Sequence, residues 1–525
     1  MDSFKLLKRR TTELFHSLEQ SLPSLGSHGS NAMKATWEKI QVPPLPRSSH
    51  SADIVAGTLY IFGGEVEPRR PVDNDMHAIT LPSSGAQADY YAIKAKPAKP
   101  SAPTEKLAGK SPARLDLPDV PAPRVGHATA VIGHRIFMFG GRGGPDMTAL
   151  DEGGRVWVFD TRTHLWSSLD PLPAAAGLPD IPRPAPRSYH SAVAIPKPDT
   201  FGSRSAPTHH PSQNKNNNSA EAWRDWALGA NRGTAELGTP QRPIVGVLAE
   251  RATDADSDGY GTFIIHGGCL SGSPARASDV WAFDVRSRVW QRLPDAPGAP
   301  RGGTALALSR GRLYRFGGFN GETQEGGQLD FLELGVDMFD DQVIGGVEAV
   351  LCARGGGWKS VLFGKEDVGY KEVDPAAKPL DLHDTEEWPG NRSVCGLEAV
   401  TVGGGREYLV LMFGEREASG VGHAGAGRFW DDVWAFQVPA QGMSLASVAD
   451  TAFSVVGKKS GEGSWTRVQM GPHDDEDDAS AEGPGPRGWT ATAPMGELEE
   501  NGIVVFGGLN EGNQRLGDGW ILRLG

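Results

Sequence analysis

Residues 123–166 read PRVGHATAVIGHRIFMFGGRGGPDMTALDEGGRVWVFDTRTHLW, and this stretch holds one full turn of a pattern. Pro123-Arg124 opens it, small and polar residues follow, and an apolar run ends on Gly140-Gly141. A second apolar run, VWVF, precedes the isolated Trp166. The runs are short, rich in β-branched and aromatic residues, and punctuated by Gly and Pro. They read as strands.

The same opening recurs along the chain as PRSSHSA at 46, PRSYHSA at 186, PRGGTAL at 300, NRSVCGL at 391 and PRGWTAT at 486. Each is followed by a run that ends near glycine: LYIFGG, FIIHGG, LYRFGG, LVLMFG and IVVFGG. DVWAFD, DVWAFQ and DGWILRL match the third element, and Trp290, Trp358 and Trp465 match Trp166 in the fourth. Four strands per unit in six units predict an all-β, six-bladed β-propeller over residues 34–525. The last unit stops at DGWILRLG with no fourth strand, so KATWEKIQV at 34–42, with Trp37, is expected to supply it and close the ring. Residues 82–120, 196–258 and 471–483 read as long surface-loop insertions, the second with a candidate helix AEAWRDWALGA. Residues 1–33 read as a short N-terminal helical extension carrying Lys5, Lys8, Arg9 and Arg10.

Bulk composition excludes several classes. A formal charge of −13 over 525 residues argues against a general nucleic-acid binder, which needs a basic face. No run of 18 apolar residues exists, so no membrane span is expected. The N-terminus lacks the apolar stretch of a secretory signal. Three scattered cysteines, Cys269, Cys352 and Cys395, fit a reducing compartment. A cytoplasmic monomer or weak homo-oligomer is expected, with a mitochondrial presequence as the minor alternative.

Pro-Arg begins the innermost strand and Gly-Gly ends the next, so antiparallel pairing puts both on one face around the channel. That face should carry Arg47, Arg124, Arg187, Arg301, Arg392 and Arg487, together with Glu65, Arg142, Arg276, Glu322, Glu415 and His423. Guanidinium groups there would make a positive funnel for sulfate, phosphate or carboxylate. The alternative for the repeat arginines is a structural role, pairing with neighbouring blades or backbone carbonyls. Arg142 and Arg276 stand outside the repeat position. The glycine-rich loop LMFGEREASGVGHAGAG at 411–427 places Glu415 and His423 eight residues apart. It is either a solvated turn or a site for a divalent ion such as Fe(II), with Glu417, Asp431 or Asp432 as a third ligand.

These repeats resemble the kelch family. PRSSHSADIVAGTLYIFGGEVEPRRPVDNDMHAI, FGGR, RGGTALALSRGRLYRFGGFNG, RSV, GHAGAG and PRGWTA bring the chain closer to the plant nitrile-specifier, epithiospecifier and thiocyanate-forming proteins. The resemblance implies Fe(II)-assisted diversion of a glucosinolate aglucone, a small sulfur-containing anion, towards a nitrile. The family's metal motif is Glu-x3-Asp-x3-His. Here it reads Glu415-x3-Ser419-x3-His423, so the middle ligand is replaced by a neutral hydroxyl and Glu417 is the available substitute. Arg142 and Arg276 fall on the family's substrate-facing arginines, and Trp489 on the lining of the same mouth. The repeat arginines Arg47, Arg187, Arg301, Arg392 and Arg487 would surround it. The alternative from a different class is a non-catalytic kelch module that binds a protein partner.

Overall fold

The computed structural model describes residues 33–81, 88–99, 118–172, 182–196, 261–271, 275–341, 346–362, 387–422, 425–439, 462–471 and 483–525. The expected N-terminal helix and the candidate helix at 220–230 lie outside these residues, as does most of each insertion.

Six blades are present: five are antiparallel four-stranded sheets, and the sixth adds Gln469–Met470, parallel to Lys34–Ile40, to its four antiparallel strands. Blade I runs Ser51–Val55, Thr58–Phe62, Met76–Thr80 and Asp89–Ile93. Blade II runs Ala128–Ile132, Arg135–Phe139, Val156–Asp160 and Leu165–Leu169. Blade III comprises Ser191–Ile195, Thr262–His266, Val280–Asp284 and Val289–Leu293. Blade IV comprises Ala305–Ser309, Arg312–Phe316, Gln328–Asp341 and Gly346–Leu362. Blade V is built from Gly396–Val402, Arg406–Met412, Val433–Gln437 and Trp465–Arg467. Blade VI joins the two ends of the chain: Lys34–Ile40 pairs antiparallel with Gly519–Leu524, inside which lie Gly502–Phe506 and Ala491–Pro494. Trp37 sits in this closing strand and stacks on Phe413 of blade V at 5.8 Å.

Strand periodicity explains the core. Successive residues point to opposite faces of a blade, so one strand feeds two inter-blade interfaces. In blade II, Ile136 and Met138 pack against Tyr60 and Phe62 of blade I. Phe137 and Phe139 pack against Phe263 and Trp281 of blade III.

Two closed rings of backbone hydrogen bonds join the blades. In the first, the second glycine of each blade donates its N–H to the carbonyl of the next blade's repeat arginine: Gly64 to Arg124, Gly141 to Arg187, Gly268 to Arg301, Gly318 to Arg392, Gly414 to Arg487 and Gly508 to Arg47. In the second, residues two places after each arginine bond one another in sequence. Gly126 donates to Ser49, Tyr189 to Gly126, Gly303 to Tyr189, Val394 to Gly303, Trp489 to Val394 and Ser49 to Trp489, at 2.7–3.2 Å. All six of these residues have positive φ, between 48° and 63°. The first glycine of the pair has a steric reason to be glycine: a Cβ on Gly63 would meet the Arg124 carbonyl oxygen at 2.6 Å.

The second ring holds four non-glycine residues in the left-handed region, and a β-branched residue suffers most there. Val394→Gly removes that strain against the entropic cost of glycine, and is expected to stabilise the fold by about 1 kcal/mol. Gly126→Ala should do the opposite, because its Cβ would lie 2.9 Å from the Tyr189 ring. Urea titration of the two variants beside wild type measures both signs.

Candidate functional site

The repeat arginines are buried, between 0 and 2% exposed. Arg392 shows the common arrangement. Its Nη1 donates to the Phe413 carbonyl at 2.9 Å, and Nη1 and Nη2 grip Asp432 at 2.6 and 2.8 Å. Trp434 Nε1 donates to the same carboxylate at 2.7 Å. Arg124, Glu152 and Trp157 repeat this set in blade II, as do Arg187, Asp279 and Trp281 in blade III, and Arg487, Asp518 and Trp520 in blade VI. Burial pushes the Asp279, Asp432 and Asp518 carboxyls up, but the arginine and indole donors outweigh it and hold all three below the usual carboxylate range. In blade IV, Arg301 stands 3.6 Å from Glu325. In blade I, Arg47 reaches His77 at 3.1 Å and the Gly63 carbonyl at 2.9 Å.

This corrects one expectation. Arg47, Arg187, Arg301, Arg392 and Arg487 do not line an open funnel, because their guanidinium groups face inward and are engaged by carboxylates, a histidine and main-chain carbonyls within the blades.

The mouth itself is built from residues around the two hydrogen-bonded rings. Its floor is the second ring, with Ser49, Tyr189, Val394 and Trp489 as the side chains larger than glycine. Its rim is the residue after each glycine pair, bridged to the residue after each arginine: Glu65 to Ser48, Arg142 to Val125, Cys269 to Ser188, Phe319 to Gly302, Glu415 to Ser393 and Leu509 to Gly488. Arg142 donates from Nε and Nη2 to Ser188 Oγ at 3.0 and 2.7 Å and lies over the Tyr189 ring at 4.9 Å. Arg276 bridges to Cys269 and lies over Phe319 at 5.1 Å. Both are partly exposed. Trp489 is also partly exposed and meets Phe429 edge-on at 5.9 Å. Glu322 sits instead in an exposed turn, where its N–H donates to Asn320 Oδ1. Sequence reasoning overlooked Cys269, Phe319, Gln324 and Arg515; the first two occupy the position after the glycine pair and were findable by that rule.

Glu415 and Glu65 differ sharply although they hold equivalent places. Arg515 Nη2 binds Glu65 at 3.0 Å. Glu415 takes a hydrogen bond from the neutral amide of Gln324 at 3.1 Å, and burial pushes its carboxyl up to about 7. Glu417 is half-exposed beside Arg416 and Arg428 at 3.6 and 3.7 Å. Ser419 Oγ accepts the Val421 N–H at 3.3 Å. Asp432 is committed to Arg392, and Asp431 is exposed. His423 lies outside the described residues. Among the described residues, no three His, Cys, Asp or Glu side chains come together to hold an ion.

Below the mouth, two carboxyl groups belong to the innermost strands. Asp53 is buried and Glu398 partly so. Thr492 donates to Glu398 at 2.6 Å. Burial raises Asp53 to about 7 and Glu398 to about 8, the latter with a contribution from Asp53.

The chain is an all-β, six-bladed propeller. A Kelch motif profile matches residues 123–173, which is blade II. The propeller resembles N-(sulfonatooxy)prop-2-enimidothioate sulfolyase of Thlaspi arvense, with 24% identity over 404 residues, 75% of this chain and 91% of that one. It is also similar to kelch domain-containing protein 3 of Rattus norvegicus, at 26% over 58% of this chain and 73% of that one. Acyl-CoA-binding domain-containing protein 4 of Arabidopsis thaliana matches at 28% over 34% of this chain, but only 24% of its own length is covered.

Two outcomes test this wiring. Asp432→Ala leaves Arg392 charged and uncompensated in the blade, and should cost about 3–5 kcal/mol in chemical denaturation, whereas Glu417→Ala at the surface should cost under about 1 kcal/mol. Asp53 and Glu398 have folded pKa values above their unfolded ones. Their contribution is therefore complete below about pH 4 and is lost as pH rises towards 8. Melting temperatures from pH 5 to 8.5 should fall less steeply in Asp53→Asn/Glu398→Gln than in wild type.

Proposed function

We propose that the channel mouth binds a small sulfonated, sulfur-containing anion and performs sulfolyase-like chemistry on it, releasing sulfate and leaving a nitrile. The observation that carries this reading is the pair Arg142 and Arg276. They are partly exposed, rise from neighbouring blades on either side of Ser188 and Cys269, and lie over Tyr189 and Phe319. Such planar donors recognise sulfate oxygens through paired N–H groups, and the aromatic faces hold each guanidinium in place. The similarity to the Thlaspi arvense sulfolyase over three quarters of the chain supports the substrate class. In this reading Arg142 and Arg276 orient the sulfate as the N–O bond breaks with its electron pair going to the departing sulfate; the C–S bond breaks with its pair retained to complete the nitrile, and the thiolate sulfur leaves at the elemental oxidation level. Glu415, a carboxyl group with its pKa near 7, is placed to hold or move a proton at the opposite side of the mouth.

Fe(II) enters as part of the proposal. It would need His423 to join Glu415, with Glu417 or Ser419 completing the set. Anaerobic Fe(II) titration of wild type beside Glu415→Gln/His423→Ala decides it: stoichiometric binding lost in the double variant supports the site, and equal weak binding in both rules it out.

The functional reading is tested by adding the enimidothioate, generated in situ, and quantifying nitrile by gas chromatography. Arg142→Ala should lower nitrile yield at least about a hundredfold, with the melting temperature unchanged. Arg142→Lys should recover only part of it, since a point charge lacks the planar fork. Unchanged product ratios in Arg142→Ala would remove the assignment and leave a kelch module that binds a protein partner.

A further inference from the structure

Arg142 is held by an edge and by a face. Its Nε and Nη2 both donate to Ser188 Oγ, at 3.0 and 2.7 Å, and its plane lies over the Tyr189 ring at 4.9 Å. A guanidinium offers an anion two paired-donor edges, one made by Nε and Nη2 and the other by Nη1 and Nη2. Ser188 occupies the first. The Nη1–Nη2 edge is the one left for a ligand, so a single hydroxyl decides which way Arg142 faces.

Ser188 is a fixed point because of where the chain puts it. It is fully buried, and Arg187–Ser188 pairs with Cys269–Leu270. The residue before it, Arg187, is tied to the Gly267 carbonyl and to Asp279. The residue after it belongs to the closed ring: Tyr189 donates to Gly126 at 2.7 Å and accepts from Gly303 at 2.8 Å. The hydroxyl between these anchors cannot follow a moving side chain. The arginine must come to it. Tyr189 is just as constrained, with φ at 54° and its ring across Gly126, where a Cβ would meet it at 2.9 Å.

The other blades supply a comparison. Ser48 and Ser393 hold the same place, directly after the repeat arginine, in blades I and V. The rim residues of the blades before them are Leu509 and Phe319, whose side chains have nothing to donate. The II–III junction is where a rim arginine meets a serine of the next blade. An arginine fixed in this way has less side-chain freedom to lose when it takes a ligand, which raises affinity without a new contact.

We propose that Ser188 is the positioning residue of the mouth: it grips Arg142 by the Nε–Nη2 edge and so presents the Nη1–Nη2 edge to the anion. This rests on the sulfonated-anion reading above, and the experiment separates the two. Ethanesulfonate binding by calorimetry and kcat/KM for nitrile formation are measured on the full chain as wild type, Ser188→Ala, Arg142→Ala and the double variant. Ser188→Ala should weaken binding and lower kcat/KM by about ten- to a hundredfold, with the fold intact by circular dichroism. Ser188→Thr, which keeps the hydroxyl, should recover most of the loss. Because Ser188 acts through Arg142, the double variant should be no worse than Arg142→Ala alone. Losses that multiply in the double variant overturn the positioning role and leave the anion reading standing. So does wild-type binding in Ser188→Ala where Arg142→Ala has lost it. Wild type that does not bind ethanesulfonate, or Arg142→Ala that binds it unchanged, removes both.

Discussion

Everything in this molecule depends on a closed circle of main-chain hydrogen bonds around the channel. A ring of six bonds has no end, so no blade can shift without breaking two of them. The geometry demands a positive φ at six equivalent positions, two residues after each repeat arginine. Gly126 and Gly303 meet that demand cheaply, whereas Ser49, Tyr189, Val394 and Trp489 meet it under strain. Strained backbone persists where the surroundings over-determine it, and here both neighbours of every ring residue do so. The same constraint brings Tyr189 and Trp489 to the floor of the mouth, so the scaffold and the candidate site are one structure seen from two sides.

The repeat arginine is the second device. In four blades its side chain ties the carbonyl at the first place of the glycine pair (Phe413 in blade V), a carboxylate and, through that carboxylate, an indole. Its own carbonyl receives the preceding blade's glycine N–H. One residue thereby joins the interior of a blade to the ring. A buried pair of this kind contributes little net stability compared with an apolar replacement, but losing one partner is severe. The sequence therefore repeats arginine and carboxylate together, with Glu152, Asp279, Asp432 and Asp518 preceding Trp157, Trp281, Trp434 and Trp520.

Six blades, their four strands and the closing strand around Trp37 were legible because periodicity, glycine pairs and Pro-Arg openings are local signals. The structural role of the repeat arginines was legible only as an alternative, and their acidic partners were not legible, since these lie up to 92 residues away in sequence, as Arg187 and Asp279 do. Register supplied what spacing lacked. The rule that rim residues follow the glycine pair found Glu65, Arg142 and Glu415 but passed over Cys269 and Phe319, whose chemistry did not suggest a site. Gln324 and Arg515 reach the rim from the following loop, and no local pattern announces them.

In the proposed reading, the local charge at the rim lets an acidic chain hold an anion at the channel mouth. Among its carboxyl groups, Glu65 is neutralised by Arg515, and Glu415 is raised to about 7, so it is largely protonated in weak acid. The repeat carboxylates are spent on repeat arginines below the surface. Arg142 by contrast directs its Nε and Nη2 to a neutral hydroxyl, and its face lies against the Tyr189 ring, which leaves its charge uncancelled by these contacts. A formal net charge of −13 over the whole chain does not oppose this, because surface charges beyond about 8–10 Å are screened at physiological salt. The local balance at the rim, rather than the total, sets what the mouth attracts. As pH rises through 7, Glu415 ionises and that balance shifts towards neutrality, so anion binding governed by this rim should weaken with alkalinity.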